Sequence, residues 1–272
     1  MTYATDFRPL PPPDKSPAEH LRRRTPAVFR GVAAHWPAVS TWTLPYIASL
    51  DPSLPVRLVR GNRENTPTAF TRSELGTYLH HLSEPPRADG DLLYLKEFDL
   101  LRQFPALRDD LKDIPFLPRG AVTSNSVWIG PARARTGLHQ DLLDNCAVQI
   151  AGTKRFLLAR PGVVERAGAL SAKYDTWARL SRVGIEELLA DRGTVTDDED
   201  FFSVELEPGD VLYVPARWWH EVVNLDASIL LSGFFGSRAH VARLWTQVGL
   251  RDTLHRARLL NPRDCTCHPA RR

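Results

Sequence analysis

A chain of 272 residues that is 43% hydrophobic can bury one good-sized core, and an all-β barrel with helical additions commonly reaches this length as a single domain. Its 35 basic and 32 acidic residues leave a formal net charge of +3, too balanced to argue for a polyanion-binding surface, so nucleic acid is not the expected partner. No apolar run approaches the roughly 20 residues that span a bilayer, residues 1–13 lack the features of a signal peptide, and three cysteines cannot make a disulfide framework, so the expected setting is the cytoplasm with no membrane partner.

Residues 1–24 are polar and proline-rich, with Pro11, Pro12 and Pro13 consecutive, and read as an extended N-terminal arm. From Thr25 the pattern becomes mixed α/β. Ala27 to Val32 and Val56 to Arg60 have strand character, and Thr71 followed by Glu74 predicts a capping box opening a helix that runs to about Leu82. Ser83 to Gly90 is a loop, Leu92 to Lys96 a strand, and Phe98 to Leu111 a short helical region.

After Gly120 strand signals crowd together: Ser126 to Ile129, Asn145 to Ala151, Lys154 to Ala159, Ser203 to Glu207, Val211 to Val214, Trp219 to Asn224 and Ser228 to Phe235. Many short strands separated by Gly, Pro and Asp mean a barrel or sandwich. Residues 162–200 interrupt this region with helix-like pieces such as Ile185 to Ala190 and read as an excursion over one barrel face. The expected organisation is one mainly β domain over 25–236 followed by a helical region and tail over 237–272. Ser237 can cap a helix whose Val241, Leu244, Trp245 and Val248 form one apolar stripe, to be covered by the barrel or by a second subunit. Cys265, Cys267 and His268 form a C-x-C-H cluster, one ligand short of a closed structural zinc site, and read as free thiols in a mobile tail. Cys146 reads as a barrel residue.

Chemistry centres on His139-Gln-Asp141. In an extended segment the imidazole and the carboxylate point to one face and can chelate one ion, although the triplet alone is as well read as a surface hydrogen-bonding pair. A second element is Glu207-Pro-Gly-Asp-Val-Leu-Tyr-Val-Pro215 followed by Arg217-Trp-Trp-His220, where a turn launches an apolar strand and His220 opens the next one. Two histidines and one carboxylate on one face of an octahedron leave three positions open, the arrangement of non-haem iron(II) oxygenases. Strand parity adds Lys154. If Gly152 and Thr153 form a two-residue hairpin loop, Ala151 and Lys154 pair across it and Lys154 points into the barrel, a costly placement unless an anion meets it.

At these residues the sequence resembles the Jumonji-C hydroxylases, in particular the small cupin-like type that includes arginyl and asparaginyl protein hydroxylases. The similarity runs from about Thr25 to Phe235 and is carried by Trp128-Ile-Gly-Pro131, Thr136-Gly-Leu-His-Gln-Asp141, Val148 to Phe156, and Leu206 to His220. It implies a mainly β double-stranded β-helix of the cupin or jelly-roll type, with an α/β N-terminal region and C-terminal helices. It implies iron(II) held by His139, Asp141 and His220, and 2-oxoglutarate as cosubstrate, its distal carboxylate on Lys154. Thr136, Asn145 and Tyr94 match further cosubstrate contacts. The implied reaction is hydroxylation of a C–H bond with dioxygen, giving succinate and carbon dioxide. Where such enzymes often carry Asn or a bulky residue in the last barrel strand, this chain has Ser232-Gly233, which opens space.

Two other readings share the barrel: a non-redox metal-dependent cupin, and a silent cupin acting as a binding module. Lys154, Thr136 and Asn145 argue against the first, the complete triad against the second. The expected substrate is an amino-acid side chain in a peptide or protein, with a free amino acid or natural-product intermediate as the alternative, and the expected assembly is a homodimer through the helices after Ser237, as is common in related oxygenases.

Overall fold

Short strands rich in β-branched and aromatic residues pair into two stacked sheets, and the central ones are buried on both faces, Val211–Val214 and Trp219–Asn224 at every residue. The computed structural model describes residues 7–84, 92–114, 117, 121–190, 200–261 and 264–269. In the N-terminal part the elements are β1 (Arg8–Pro9), α1 (Pro17–Arg23), β2 (Ala27–Phe29), α2 (Pro37–Thr41), α3 (Leu44–Leu50), β3 (Pro55–Arg60), β4 (Phe70–Glu74), α4 (Leu75–Leu82), β5 (Leu93–Phe98) and α5 (Leu100–Gln103). A 3-10 turn, Pro105–Asp110, precedes β6 (Val122–Gly130), β7 (Arg135–Asp141), β8 (Asp144–Ala151), β9 (Lys154–Ala159), α6 (Val163–Arg166), β10 (Ala178–Leu180) and α7 (Ile185–Ala190). β11 (Phe201–Leu206), β12 (Val211–Val214), β13 (Trp219–Asn224), β14 (Ser228–Gly236) and α8 (Arg238–Arg256) complete the fold.

The smaller sheet has the order β1-β11-β9-β13-β7-β10 and the larger β2-β12-β8-β14-β6-β5-β3-β4. From β6 to β9, and again from β11 to β14, consecutive strands alternate between the sheets, which makes a double-stranded β-helix of the jelly-roll kind. Its interior is filled by Phe156, Leu158, Val222 and Leu230 among others. A second cluster, on the outer face of the larger sheet, packs Trp36, Trp42, Ile47 and Leu79 from α2, α3 and α4 beneath that sheet. Burying each such side chain contributes about 1.5–3 kcal/mol. No helix of the described residues is long and apolar enough to cross a membrane.

Several expectations need correction. Thr71 does not cap a helix: it lies in β4, paired with Leu58 of β3, and α4 begins only at Leu75 with no side-chain cap from Glu74. The arm is not extended throughout, because Ser16 accepts a hydrogen bond from the Glu19 amide and caps α1, with Pro17 at its first position. Gly152 and Thr153 do not form a hairpin. β8 and β9 belong to opposite sheets, and Gly152 (φ +67°) turns the chain from one to the other against the backbone at Ala227 and Ser228, where a Cβ would meet the Ala227 carbonyl at 2.3 Å. The loop expected over Ser83 to Gly90, residues 191–199 of the excursion and the start of the arm fall largely outside the described residues.

On α8, Ser237 accepts from the His240 amide, and Val241, Leu244 and Val248 are buried, but Trp245 leaves the stripe and is 60% exposed. The tail is anchored rather than free: Cys265 pairs in parallel with Tyr174, the Thr266 amide donates to the Tyr174 carbonyl, and the Thr68 hydroxyl donates to the Cys265 carbonyl at 2.7 Å.

Candidate active site

β7 and β13 are neighbours in the smaller sheet, and their register sets His139 opposite His220. The imidazole rings lie with centroids 4.1 Å apart. Asp141, two residues along β7 from His139, shares its face. Its carboxylate oxygens stand 3.8 Å from His139 Nε2 and 3.6 Å from His220 Nε2. All three ligand atoms lie within 4.8 Å of one another, as one ion requires.

Each ring is oriented by backbone. His139 Nδ1 donates to the Gly137 carbonyl at 2.7 Å and His220 Nδ1 to the Trp218 carbonyl at 3.2 Å, which leaves both Nε2 atoms bare and aimed at Asp141. The Trp218 carbonyl is placed by a tight turn in which Arg217 adopts φ +73° and its amide donates to the Asp141 carbonyl. Burial, reinforced by His220, lowers the His139 imidazole, and burial holds His220 at about 4. Burial pushes the Asp141 carboxyl up to about 6. Near neutral pH the site therefore presents two neutral imidazoles and one carboxylate, the protonation states that bind a divalent ion.

The register of β7 against β13 shifts between His220 and Val222, so three residues of β7 span two of β13. This bulge at Gly137 and Leu138 reverses strand parity, and Thr136 joins His139 and Asp141 on the cavity wall. The cavity has a volume of about 580 Å³ and is also walled by Tyr94, Trp128, Asn145, Lys154 and Phe156. Lys154, opposite Asn224 at the start of β9, is fully buried and donates to the Tyr94 hydroxyl at 2.6 Å. No carboxylate of the described residues lies within ion-pair distance of it. Burial, with Lys96 nearby, lowers its ammonium well below the usual lysine range. Tyr94 also approaches Asn224 Oδ1 at 3.5 Å and touches Thr136, and its ring lies so close to Gly130 that a Cβ there would sit 2.5 Å away. Three buried atoms on this wall, Asn145 Oδ1, Ser126 Oγ and Trp128 Nε1, have no hydrogen-bond partner among the described residues.

These features fit a bound dicarboxylate and a divalent ion. A buried ammonium with no carboxylate beside it answers an anion, and the partnerless donors on the wall, the Ser126 hydroxyl and the Trp128 indole N–H, answer further oxygens. Ser232 lines the cavity, whereas a side chain added to Gly233 would meet Asn125 and the Cys146 carbonyl and not the cavity, so the open space owes nothing to Gly233. The mouth is formed by Asp175, Trp177 and Trp245, whose indoles meet edge to face at 5.1 Å, with Thr266 and Cys267 of the tail.

The sequence reading missed a buried ionic group behind His139. Glu64 accepts from Lys96 Nζ at 2.9 and 3.0 Å, from Arg63 Nε at 3.2 Å and from the Gly137 amide at 3.1 Å, while Arg63 also donates to Glu97. Burial alone would raise the Glu64 carboxyl, but Lys96 and Arg63 overcome that and hold it at about 2. One signal was available: with Tyr94 inward on β5, alternation turns Lys96 inward as well.

A family profile described as "Cupin-like domain" matches residues 13–240. Jumonji C domain-containing protein 5 of Drosophila melanogaster is 27% identical over 222 residues, covering 76% of this chain and 53% of that protein. The bifunctional peptidase and (3S)-lysyl hydroxylase JMJD7 of Homo sapiens is 24% identical over 243 residues, covering 77% of each. tRNA wybutosine-synthesizing protein 5 of Homo sapiens is 23% identical over 244 residues, covering 80% of this chain and 73% of that protein. The chain spans about half the length of the fly protein and of two similar relatives named as lysine-specific demethylases.

Proposed function

The chain belongs to the cupin-like domain family of Jumonji-C type, and on that premise we propose that it is an iron(II)- and 2-oxoglutarate-dependent oxygenase that hydroxylates a C–H bond of an amino-acid side chain in a peptide or protein. The observation that carries the reading is the pairing, in one cavity, of a convergent His139-Asp141-His220 set with a fully buried lysine that meets no carboxylate of the described residues.

In this reading residues 25–236 are the catalytic unit. His139, Asp141 and His220 hold the iron through two Nε2 atoms and a carboxylate oxygen. Lys154 and the Tyr94 hydroxyl orient the distal carboxylate of 2-oxoglutarate, and Thr136 and Asn145 contact the cosubstrate from the wall. With dioxygen, bound iron(II) and 2-oxoglutarate supply the oxidising power for hydroxylation, leaving succinate and carbon dioxide. Trp128, Phe156 and Leu230 keep water from the reacting centre, and the Gly137 and Trp218 carbonyls hold the two imidazoles in the ligating tautomer. Trp177 offers a flat apolar surface at the mouth, suited to the flank of a substrate side chain. A non-redox metal-dependent cupin would use the same triad but would leave the Lys154 ammonium without a partner. The protein is further proposed to be a cytoplasmic homodimer. Leu244 and Val248 are buried within the chain, so a second copy would cover Trp245 and Leu250 of α8, which are exposed.

The substrate class is tested by incubating the enzyme, iron(II) and 2-oxoglutarate with a proteome-derived peptide library and with free amino acids, and searching by mass spectrometry for one added oxygen atom. Modified peptides are expected. Turnover of free amino acids or small metabolites alone would overturn the peptide assignment and leave the oxygenase assignment standing.

A further inference from the structure

The C-terminal tail brings a second set of metal-ligating side chains together, well apart in chemistry from the first. Cys265, Cys267 and His268 fold back against the end of α8, and His255 on that helix completes a group of four whose ligand atoms lie within 4.8 Å of one another. Cys267 Sγ lies 3.4 Å from His255 Nε2, 3.1 Å from His268 Nδ1 and 3.1 Å from Cys265 Sγ, and Cys265 Sγ lies 3.4 Å from His268 Nδ1. A tetrahedral zinc ion with bonds of about 2.3 Å to sulfur and 2.0–2.1 Å to nitrogen sets neighbouring ligand atoms roughly 3.3–3.8 Å apart, so a small outward relaxation admits the ion.

We propose that His255, Cys265, Cys267 and His268 form a structural zinc site that clamps the tail to α8 and to the segment framing the active-site mouth. Two thiolates with two imidazoles, and no fifth ligand among the described residues, are the composition of a closed zinc site, and the soft sulfur pair separates it from the all-nitrogen-and-oxygen triad that suits iron(II).

The surroundings are built for it. His255 Nδ1 donates to the Leu260 carbonyl at 2.9 Å, which fixes the tautomer and leaves Nε2 bare toward Cys267. The His255 ring stacks on Tyr174 at 4.0 Å, and the His268 amide donates to Cys265 Sγ at 3.3 Å, an interaction that stabilises a thiolate. Cys265 and His255 are both buried. The residue between the two cysteines, Thr266, donates to Asp175 Oδ2 at 2.5 Å, and Thr266 and Cys267 line the cavity mouth. Zinc would thereby hold one wall of the substrate entrance in place, at a point where Asp175 meets the tail.

The full-length protein, purified from zinc-replete medium without chelator, is dialysed against a weak chelator that strips iron. Zinc is then counted by elemental analysis and native mass spectrometry. One zinc per chain is expected in the wild type and in His220→Ala, and at least a tenfold lower zinc content in Cys267→Ser and Cys265→Ser. Cobalt(II) put in place of zinc should give thiolate-to-cobalt charge-transfer absorption in the wild type and in His220→Ala but not in Cys267→Ser. The proposal is overturned if zinc is lost with His220→Ala and kept in the cysteine variants. It is equally overturned if the wild type carries no zinc while Cys265 and Cys267 titrate as free thiols or are joined as a disulfide. The wild-type and His220→Ala contents decide the matter even if the cysteine variants fail to fold.

Discussion

Replacing Lys154 with methionine separates cosubstrate binding from folding. The side chain keeps its length and apolar stem but loses an ammonium that is fully buried, meets no carboxylate of the described residues and donates only to the Tyr94 hydroxyl. In the free protein that charge is a cost, visible in how far burial and Lys96 lower its ammonium. Methionine removes the cost, and Tyr94 retains its contact with Asn224, so thermal stability should be unchanged or higher. With 2-oxoglutarate the balance reverses, because a charge-assisted hydrogen bond to a carboxylate contributes about 1.5–3 kcal/mol. At 1.4 kcal/mol per factor of ten, the Kd should rise about 10- to 100-fold, with iron affinity little changed. Anaerobic calorimetric titration of the iron(II) protein reads the affinity and a thermal melt reads the fold. An unchanged Kd in a well-folded Lys154→Met protein would refute the assignment of Lys154 to the cosubstrate, and a large fall in melting temperature would refute the claim that its charge is unpaired.

Alanine at His139, Asp141 or His220 should reduce bound iron to trace levels after gel filtration and abolish succinate formation, since two ligands rarely retain a labile ion; wild-type iron content in any one variant would contradict the triad. Iron affinity should be nearly flat above about pH 6 and fall about tenfold per unit below it, because Asp141, raised to about 6 by burial, is the ligand that must shed a proton, whereas His220 at about 4 is already neutral. Metal titrations across pH showing a loss that begins above pH 7 would place the proton on another group. Glu64→Gln should destabilise the fold by about 3–5 kcal/mol in a denaturant melt by stranding Lys96 in the interior, since Arg63 keeps Glu97, and a change below about 1 kcal/mol would show the group to be hydrated. Light scattering at micromolar concentration should return twice the chain mass, and Trp245→Glu should shift it toward the monomer; a monomeric wild type would remove the proposed dimer.

The strands after Gly120 were legible because they are short, rich in β-branched and aromatic residues and cut by Gly, Pro and Asp; Lys154 to Ala159, Val211 to Val214 and Trp219 to Asn224 match β9, β12 and β13 residue for residue. β7 was legible only through the chemistry it carries, since Arg135 to Asp141 has no apolar alternation. Lys154 pointed inward as expected but for a different reason, because local sequence cannot distinguish a hairpin from a crossover between sheets when both need a glycine at positive φ. The bulge that brings Thr136 beside His139 is a register effect between β7 and β13, and nothing local to Thr136 announces it. Glu64 and Lys96 are distant in sequence, and their union behind His139 depends on the loop after β3 folding back over β5. A fourth candidate ligand beside the tail was hidden for the same reason: Cys265, Cys267 and His268 looked one ligand short because His255 belongs to a helix whose end only the tertiary fold places beside them.

One cavity is proposed to hold iron(II) and 2-oxoglutarate together. This is tested most directly by adding 2-oxoglutarate to the iron(II) protein under anaerobic conditions and recording the visible spectrum. A saturable metal-to-ligand charge-transfer band is predicted, absent when His220→Ala replaces the wild type and shifted to higher 2-oxoglutarate concentration in Lys154→Met. A wild-type protein that retains iron at the triad and shows no such band at saturating 2-oxoglutarate would contradict the account.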